Sequence, residues 1–207
     1  MLNKIAKFTV KPEQRQHVET ALLTYQNGAK QLRGNIAVRI YVDRDNPNLF
    51  FTYERWDCAA GIACNALQAY SIELQATLDT ALIEPAELFE LGETNPLPQP
   101  LKTAAVDDEE FIILFIFKIK PELRQRLLQQ FEDHVSQTRT EAANLLFELY
   151  TINGSNDTLA VYEHWRNEAA VWDIHFNQPY SKITGTLMEA ALIGDMKQYM
   201  NFVTQLA

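Results

Sequence analysis

The side chains best suited to proton chemistry are concentrated in "VYEHWRNEAAVWDIHFNQPYS", Val161 to Ser181, where His175 follows Trp172 by three residues and precedes Tyr180 by five. An imidazole with a pKa near ~6.5 takes a proton from a phenol or enol at neutral pH, and burial or a carboxylate neighbour tunes it. Glu163 is the natural neighbour. A core histidine satisfied by one backbone hydrogen bond would explain the same spacing without chemistry. Glu163 and Trp165, like Glu54 and Trp56, stand two apart in a strand pattern and so share a face. Each carboxylate beside an indole reads as a buried structural acid or as a catalytic one. Asn35 and Asn144 follow Gly34 and Ala143 at a helix-to-strand junction, where an amide caps a turn or holds a substrate oxygen. Tyr41, Tyr70, Tyr150 and Tyr180 read as core-edge residues with the hydroxyl reaching water or a partner.

These residues occur twice. A shift of 109 residues carries "FTVKPEQRQ" at Phe8 onto "FKIKPELRQ" at Phe117, Asn35 onto Asn144, Tyr41 onto Tyr150, and Tyr53, Glu54 and Trp56 onto Tyr162, Glu163 and Trp165. One inserted residue changes the shift to 110, and Asn65 then falls on His175 and Tyr70 on Tyr180. Two diverged copies of a unit of about a hundred residues account for this. The sequence therefore divides into a first unit over 1–94, a linker over 95–107 with Pro96, Pro98 and Pro100, and a second unit over 108–207. Three prolines so close favour an extended spacer.

The elements that must position the candidate residues follow one order in both copies. Short β-branched and aromatic runs, "NKIAKFTV" and "EFIILFIFKI", lead to Lys-Pro-Glu, with Pro12 and Pro121 at a first helical turn. The helices that follow carry apolar residues three and four apart: Val18, Ala21, Leu22, Tyr25, Ala29 and Leu32, then Leu123, Leu127, Phe131, Val135 and Ala142. A hairpin, a second helical region interrupted at Pro179 and a last strand complete each unit. His175 lies on a stripe with Phe176 and Ile183 in that region. The order β-α-β-β-α-β is the ferredoxin-like split unit, an α+β fold with both helices on one face of a four-stranded antiparallel sheet. Apolar residues on both faces of the strands predict that the two sheets pack face to face as an internal pseudo-dimer.

Composition removes several function classes. A net charge of -9 with interspersed signs disfavours nucleic-acid and anionic-membrane partners. No apolar run approaches a membrane span and the N-terminus lacks a signal-peptide core, so a cytoplasmic location is expected. Cys58 and Cys64 read as free, buried small hydrophobes. No G-x-G-x-x-G, P-loop, H-E-x-x-H, nucleophile elbow or C-x-x-C is present, so neither a metal nor a nucleotide cofactor has sequence support.

Lys-Pro-Glu opening the first helix, a small residue and Asn opening the second strand ("GNIAVRIY", "ANLLFELY"), Glu-x-Trp ending the third, and a His beyond it together resemble the antibiotic-biosynthesis-monooxygenase family of dimeric α+β barrels. Nearly all of both repeats is covered. The resemblance implies a pseudo-dimeric barrel, open to further homodimerisation through strand edges, and a cofactor-independent monooxygenase acting with O2 on a small aromatic or quinol-like substrate. It makes His175 the base, Asn144 the holder of an oxygen, and Tyr150, Glu163, Trp165, Trp172 and Tyr180 the pocket. With Asn65 in place of the histidine, the first copy's Asn35, Tyr41, Glu54, Trp56, Asn65 and Tyr70 become a degenerate pocket. The heme-degrading branch has an Asn on the first strand, where Ala6 and Phe115 stand here. Two alternatives remain: an isomerase of a small keto metabolite using the same His, and a non-catalytic small-molecule-binding module.

Overall fold

A computed structural model describes residues 1–206, and the chain divides into two compact α+β units. The first, Met1–Leu91 joined by the chain from Val203, contains β1 (Leu2–Thr9), α1 (Arg15–Ala29), β2 (Asn35–Asp43), β3 (Leu49–Trp56), α2 (Ala59–Ala66), α3 (Ala69–Ala81) and β4 (Glu87–Glu93) as far as Leu91. The second, Gly92–Phe202, contains β5 (Phe111–Lys118), α4 (Arg124–Thr138), β6 (Asn144–Ile152), β7 (Thr158–Trp165), α5 (Pro179–Ala191) and the start of β8 (Met200–Gln205). The fold is thus a tandem of ferredoxin-like units.

In the first unit β1 lies between β3 and β4, and β2 pairs with the outer edge of β3, all antiparallel. Val203 to Gln205 of β8 extend that sheet along Asp43 to Tyr41. In the second unit β7 lies between β5 and β6. Each first helix is preceded by one 3-10 turn, Pro12–Gln14 or Pro121–Leu123, because the residue before proline is held extended and the ring then fits the first turn. Helix α1 buries Val18, Leu22, Tyr25, Gln26 and Ala29, and α4 buries Leu127, Phe131, His134, Val135 and Thr138. Alternation along β5 sends Phe111, Ile113, Phe115 and Phe117 into the core beneath the helices, while Ile112 and Leu114 are buried on the other face.

The second helical regions differ. The first unit has a regular α2, whereas the second has a five-residue π turn, Ala170–Ile174, and then a 3-10 turn, His175–Asn177, before α5 starts at Pro179. A π turn is how a helix absorbs one extra residue. The single insertion that separates the two repeat shifts falls in this stretch. His175 is 2% exposed, as inward as Asn65 at 4% in the regular α2, while Trp172, Phe176 and Ile183 are left at 37–58%. The apolar stripe expected through His175, Phe176 and Ile183 is therefore not formed.

Residues 94–102 run along β6 within the second unit. Thr94 Oγ1 donates to the Leu149 carbonyl (2.7 Å), the Gln99 amide to Glu148 Oε1 (2.8 Å) and the Lys102 amide to the Leu145 carbonyl (3.1 Å). Glu148 also holds the buried Arg139 guanidinium at 2.6 Å, and Arg139 donates to the Leu97 carbonyl. The proline-rich stretch is tied down by these bonds rather than spanning solvent. Cys58 and Cys64 are free, as expected, but exposed. No helix is long and apolar enough to cross a membrane among the described residues.

Candidate active site

In the first unit a line of hydrogen bonds runs from the helices into the sheet. Tyr70 OH donates to Asn65 Oδ1 (2.9 Å), and Asn65 Nδ2 donates to Tyr25 OH (2.8 Å). Tyr25 in turn faces the Glu54 carboxylate. Glu54 also accepts from Trp56 Nε1 (2.9 Å) and pairs with Lys4 Nζ (3.1 Å), its cross-strand neighbour in the β1–β3 register. Burial, and then the Glu54 carboxylate, push the Tyr25 hydroxyl well above the ordinary phenol range, so Tyr25 keeps its proton and acts as a donor. Glycine at position 28 of α1 makes room for this line: a Cβ there would overlap the Tyr70 ring.

This line borders a cavity of about 1050 Å³. Lys4, Glu54, Tyr25 and Asn65 supply polar walls, and Ala6, Phe8, Leu22, Ile62, Leu78 and Leu82 are among its apolar ones. Many apolar walls with a few convergent polar groups are the usual composition of a small-molecule site.

The second unit places different chemistry at the matching positions. His134 stands where Tyr25 does, His175 where Asn65 does, and Ile113 where Lys4 does. His175 Nδ1 lies 2.7 Å from Glu141 Oε1, and the same oxygen accepts a short hydrogen bond from Tyr180 OH. His134 Nδ1 lies 3.0 Å from Thr184 Oγ1. Rings enclose His175: Trp165 at 4.8 Å between centroids, His134 at 5.1 Å and Phe147 at 5.7 Å. Burial lowers the His175 pKa, with Glu141 opposing, and burial with the His175 charge lowers that of His134 to about 3. Glu163 accepts from Trp165 Nε1 at 2.7 Å, but Ile113 is its cross-strand neighbour, and burial raises its carboxyl to about 7.

Side-chain volume explains why the first unit is hollow. At the positions of Ala6, Leu22 and Thr52 the second unit has Phe115, Phe131 and Val161, all in its packed core. Phe115 stacks on Phe117 at 4.2 Å. The space that is cavity beside Ala6 is thus aromatic core beside Phe115. The sequence places the working pocket around His175 and the degenerate one around Asn65; the cavity lies beside Asn65.

Several expected pocket residues lie elsewhere. Trp172 is 37% exposed, donates to Glu168 and packs on Phe111, Phe176 and Phe202, because the π turn carries it away from His175. Tyr41 and Tyr150 are fully buried, but alternation puts them on the sheet face opposite the helices, since Ile40 and Leu149 face the helical cores. Asn144 Nδ2 donates to the Leu146 carbonyl (3.1 Å) at a β-bulge, and its Oδ1 is buried without a partner. Asn35 opens the matching bulge and its Nδ2 is likewise unpaired. Sequence reasoning missed Lys4, Tyr25, His134 and Glu141. A lysine amid apolar strand residues was the available signal for Lys4, and the one hydroxyl in the α1 stripe for Tyr25. Among the described residues, no group of three or more His, Cys, Asp or Glu is placed to hold a metal ion.

Comparison with known proteins agrees with this architecture. A curated Bacillus subtilis (strain 168) protein named "Putative monooxygenase YcnE" is 33% identical over 54 residues, 26% of this chain; the match spans 57% of that relative's length. The solved structure of a "putative monooxygenase" from Fusobacterium nucleatum superposes with a TM-score of 0.86 at 15% identity, covering 100% of this chain and 92% of that one. An "anthrone oxidase-like protein" superposes with a TM-score of 0.70 at 12% identity, covering 100% and 91%. At these identities the likeness shows a shared tandem fold. The model of the family described as "Antibiotic biosynthesis monooxygenase" matches residues 1–60 and 111–184, most of the chain and both copies of the repeat, and the chain belongs to that family.

Proposed function

We propose that the protein is a cofactor-independent monooxygenase that oxidises a small aromatic, quinol-like substrate with O2 in the cavity of its first unit. The observation that carries this reading is the polar line ending on Lys4–Glu54 at the wall of a largely apolar cavity of about 1050 Å³. In the mechanism, Glu54 takes the phenolic proton while the Lys4 ammonium faces the developing phenolate and the protonated Tyr25 donates to it. The phenolate gives one electron to O2, the phenoxyl radical and superoxide combine at a ring carbon bearing hydrogen, and Glu54 returns its proton to the peroxide. The hydroperoxide then loses water, so that the carbon becomes a carbonyl, one oxygen atom stays in the quinone and the other leaves as H2O. The protein's share is to deprotonate, orient and keep water out.

A para-unsubstituted naphthol turned over under ¹⁸O2 tests this. One labelled oxygen in the quinone, with turnover lowered on the order of 10²-fold by Glu54→Gln, is the expected result; a product without label overturns it. One observation favours a second reading. His175 is oriented by Glu141 at 2.7 Å, an arrangement that suits a base in the second unit, as the family resemblance implies.

A further inference from the structure

The cavity of the first unit has two chemically different ends. Lys4 and Phe8 both line it from β1, and four residues of strand separate them by roughly 13 Å. The polar groups Lys4, Glu54, Tyr25 and Asn65 stand at the Lys4 end. At the other end the wall continues outward through Ile83, whose amide donates to the Thr9 carbonyl, and Leu88, which stands opposite Ala6; they are 61% and 74% exposed. Two large aliphatic side chains left in water at that end, and continuous with the apolar lining, form a surface that a hydrocarbon would cover. Among the described residues, the charged groups lining the cavity away from Lys4 and Glu54 are Asp79 and Glu84, which repel a ligand ending in an anion. A single aromatic ring occupies only a small part of the volume.

We infer that the substrate is a phenol or quinol carrying an uncharged apolar side chain, with its hydroxyl at Lys4–Glu54 and its chain leaving past Ile83 and Leu88. The inference rests on the reading of this cavity as the substrate site and adds the chain to it. The anion-repelling rim sets the direction: a phenolate is drawn inward to the one cationic wall, and the hydrocarbon end points out. The chain supplies binding energy remote from the reacting ring, which the small polar end lacks.

Methylhydroquinone and hexylhydroquinone, bound under nitrogen and below the micelle threshold of the longer probe, test this by titration calorimetry on the full chain. Each methylene buried tightens binding about fourfold. Five further methylenes at a half-open rim should therefore tighten it on the order of 10²-fold. In Ile83→Ser/Leu88→Ser most of that gain should vanish while methylhydroquinone binds as before. Both positions are exposed, so the variant should fold, and an unchanged melting temperature checks it. Equal affinity for the two probes overturns the inference and leaves the proposed function standing. A gain that persists in the variant places the chain elsewhere and also overturns it. Failure of both probes to bind overturns the site itself. A rim variant that alters self-association without altering probe affinity would show that the aliphatic rim covers a second copy instead.

Discussion

Lys4 Nζ lies 3.1 Å from Glu54 Oε1 across the β1–β3 pair, whereas Ile113 occupies the matching position opposite Glu163. The two carboxylates share an indole hydrogen bond and a strand position, and differ in whether a cation crosses from the next strand. A buried carboxylate without a cation neutralises itself, and Glu163 rises to about 7.

That shift has a sign for stability. An ordinary glutamic acid near 4.5 loses its proton in the unfolded chain well before Glu163 does in the fold. Between about pH 4.5 and 7 the folded protein holds the extra proton, so stability falls as pH rises through that window, by on the order of 3 kcal/mol in all. Glu163→Gln keeps an acceptor for Trp165 and should flatten this slope. Urea unfolding at pH 5.5 and 8 should show the variant gaining on the parent at the higher pH; parallel losses would place the slope on another group.

The opposite limb belongs to His134. It stays neutral in the fold down to about 3, held there by burial and by His175, while an unfolded histidine takes a proton near 6.5. Its stabilisation is present above pH 6.5 and is lost as pH falls toward 3. His134→Gln, which keeps a bond to Thr184, should therefore flatten the acid side of the stability profile. His175 is lowered as well, with Glu141 opposing, and will keep part of the limb. An unchanged acid limb in the variant would show that His134 already titrates normally.

Cavity and core can be exchanged by size alone. Ala6→Phe puts the second unit's side chain into the first unit's hollow and should abolish ligand binding with little loss of stability, because it fills existing space. Phe115→Ala removes a ring from packed core and should cost about 3–5 kcal/mol. A crystal structure and a melting curve of each variant decide it. Strong destabilisation by Ala6→Phe would mean that the hollow is too narrow for a ring.

The repeat, the order of elements and the α+β class were legible because they follow from periodicity and from duplicated motifs, which need no knowledge of which side chains meet. The carboxylate–indole pairs were legible for the same reason, since i and i+2 share a strand face. The hollow was not. It depends on which of Ala6, Leu22 and Thr52 converge on one space, and that follows from strand register and helix placement. His175 drew attention as the residue that titrates near neutrality, yet its surroundings of Trp165, Phe147 and His134 are built from three separate elements. Trp172 was misplaced because one inserted residue, absorbed as a π turn, rotates the side chains there by roughly 100°.

The unit that does the chemistry can be identified by pairing substitutions. If the first cavity is the site, Glu54→Gln removes the proton acceptor and should lower turnover of a naphthol on the order of 10²-fold or more. Tyr25→Phe removes one donor to the phenolate and should cost less, on the order of tenfold, with most of the loss in kcat, because that bond strengthens as charge develops. Asn65→Ala frees Tyr25 and Tyr70 and should act in the same direction as Tyr25→Phe. His175→Ala should leave turnover nearly unchanged once rates are compared at equal fractions of folded protein, since it opens a void beside Trp165 and costs stability. The reverse pattern, a loss of 10²-fold in His175→Ala with Glu54→Gln unaffected, would move the reaction to the second unit and make Glu141 the group that orients its base. Equal losses from both would mean that both units turn over substrate, and no loss from either would leave a binding protein whose cavity holds its ligand without oxidising it.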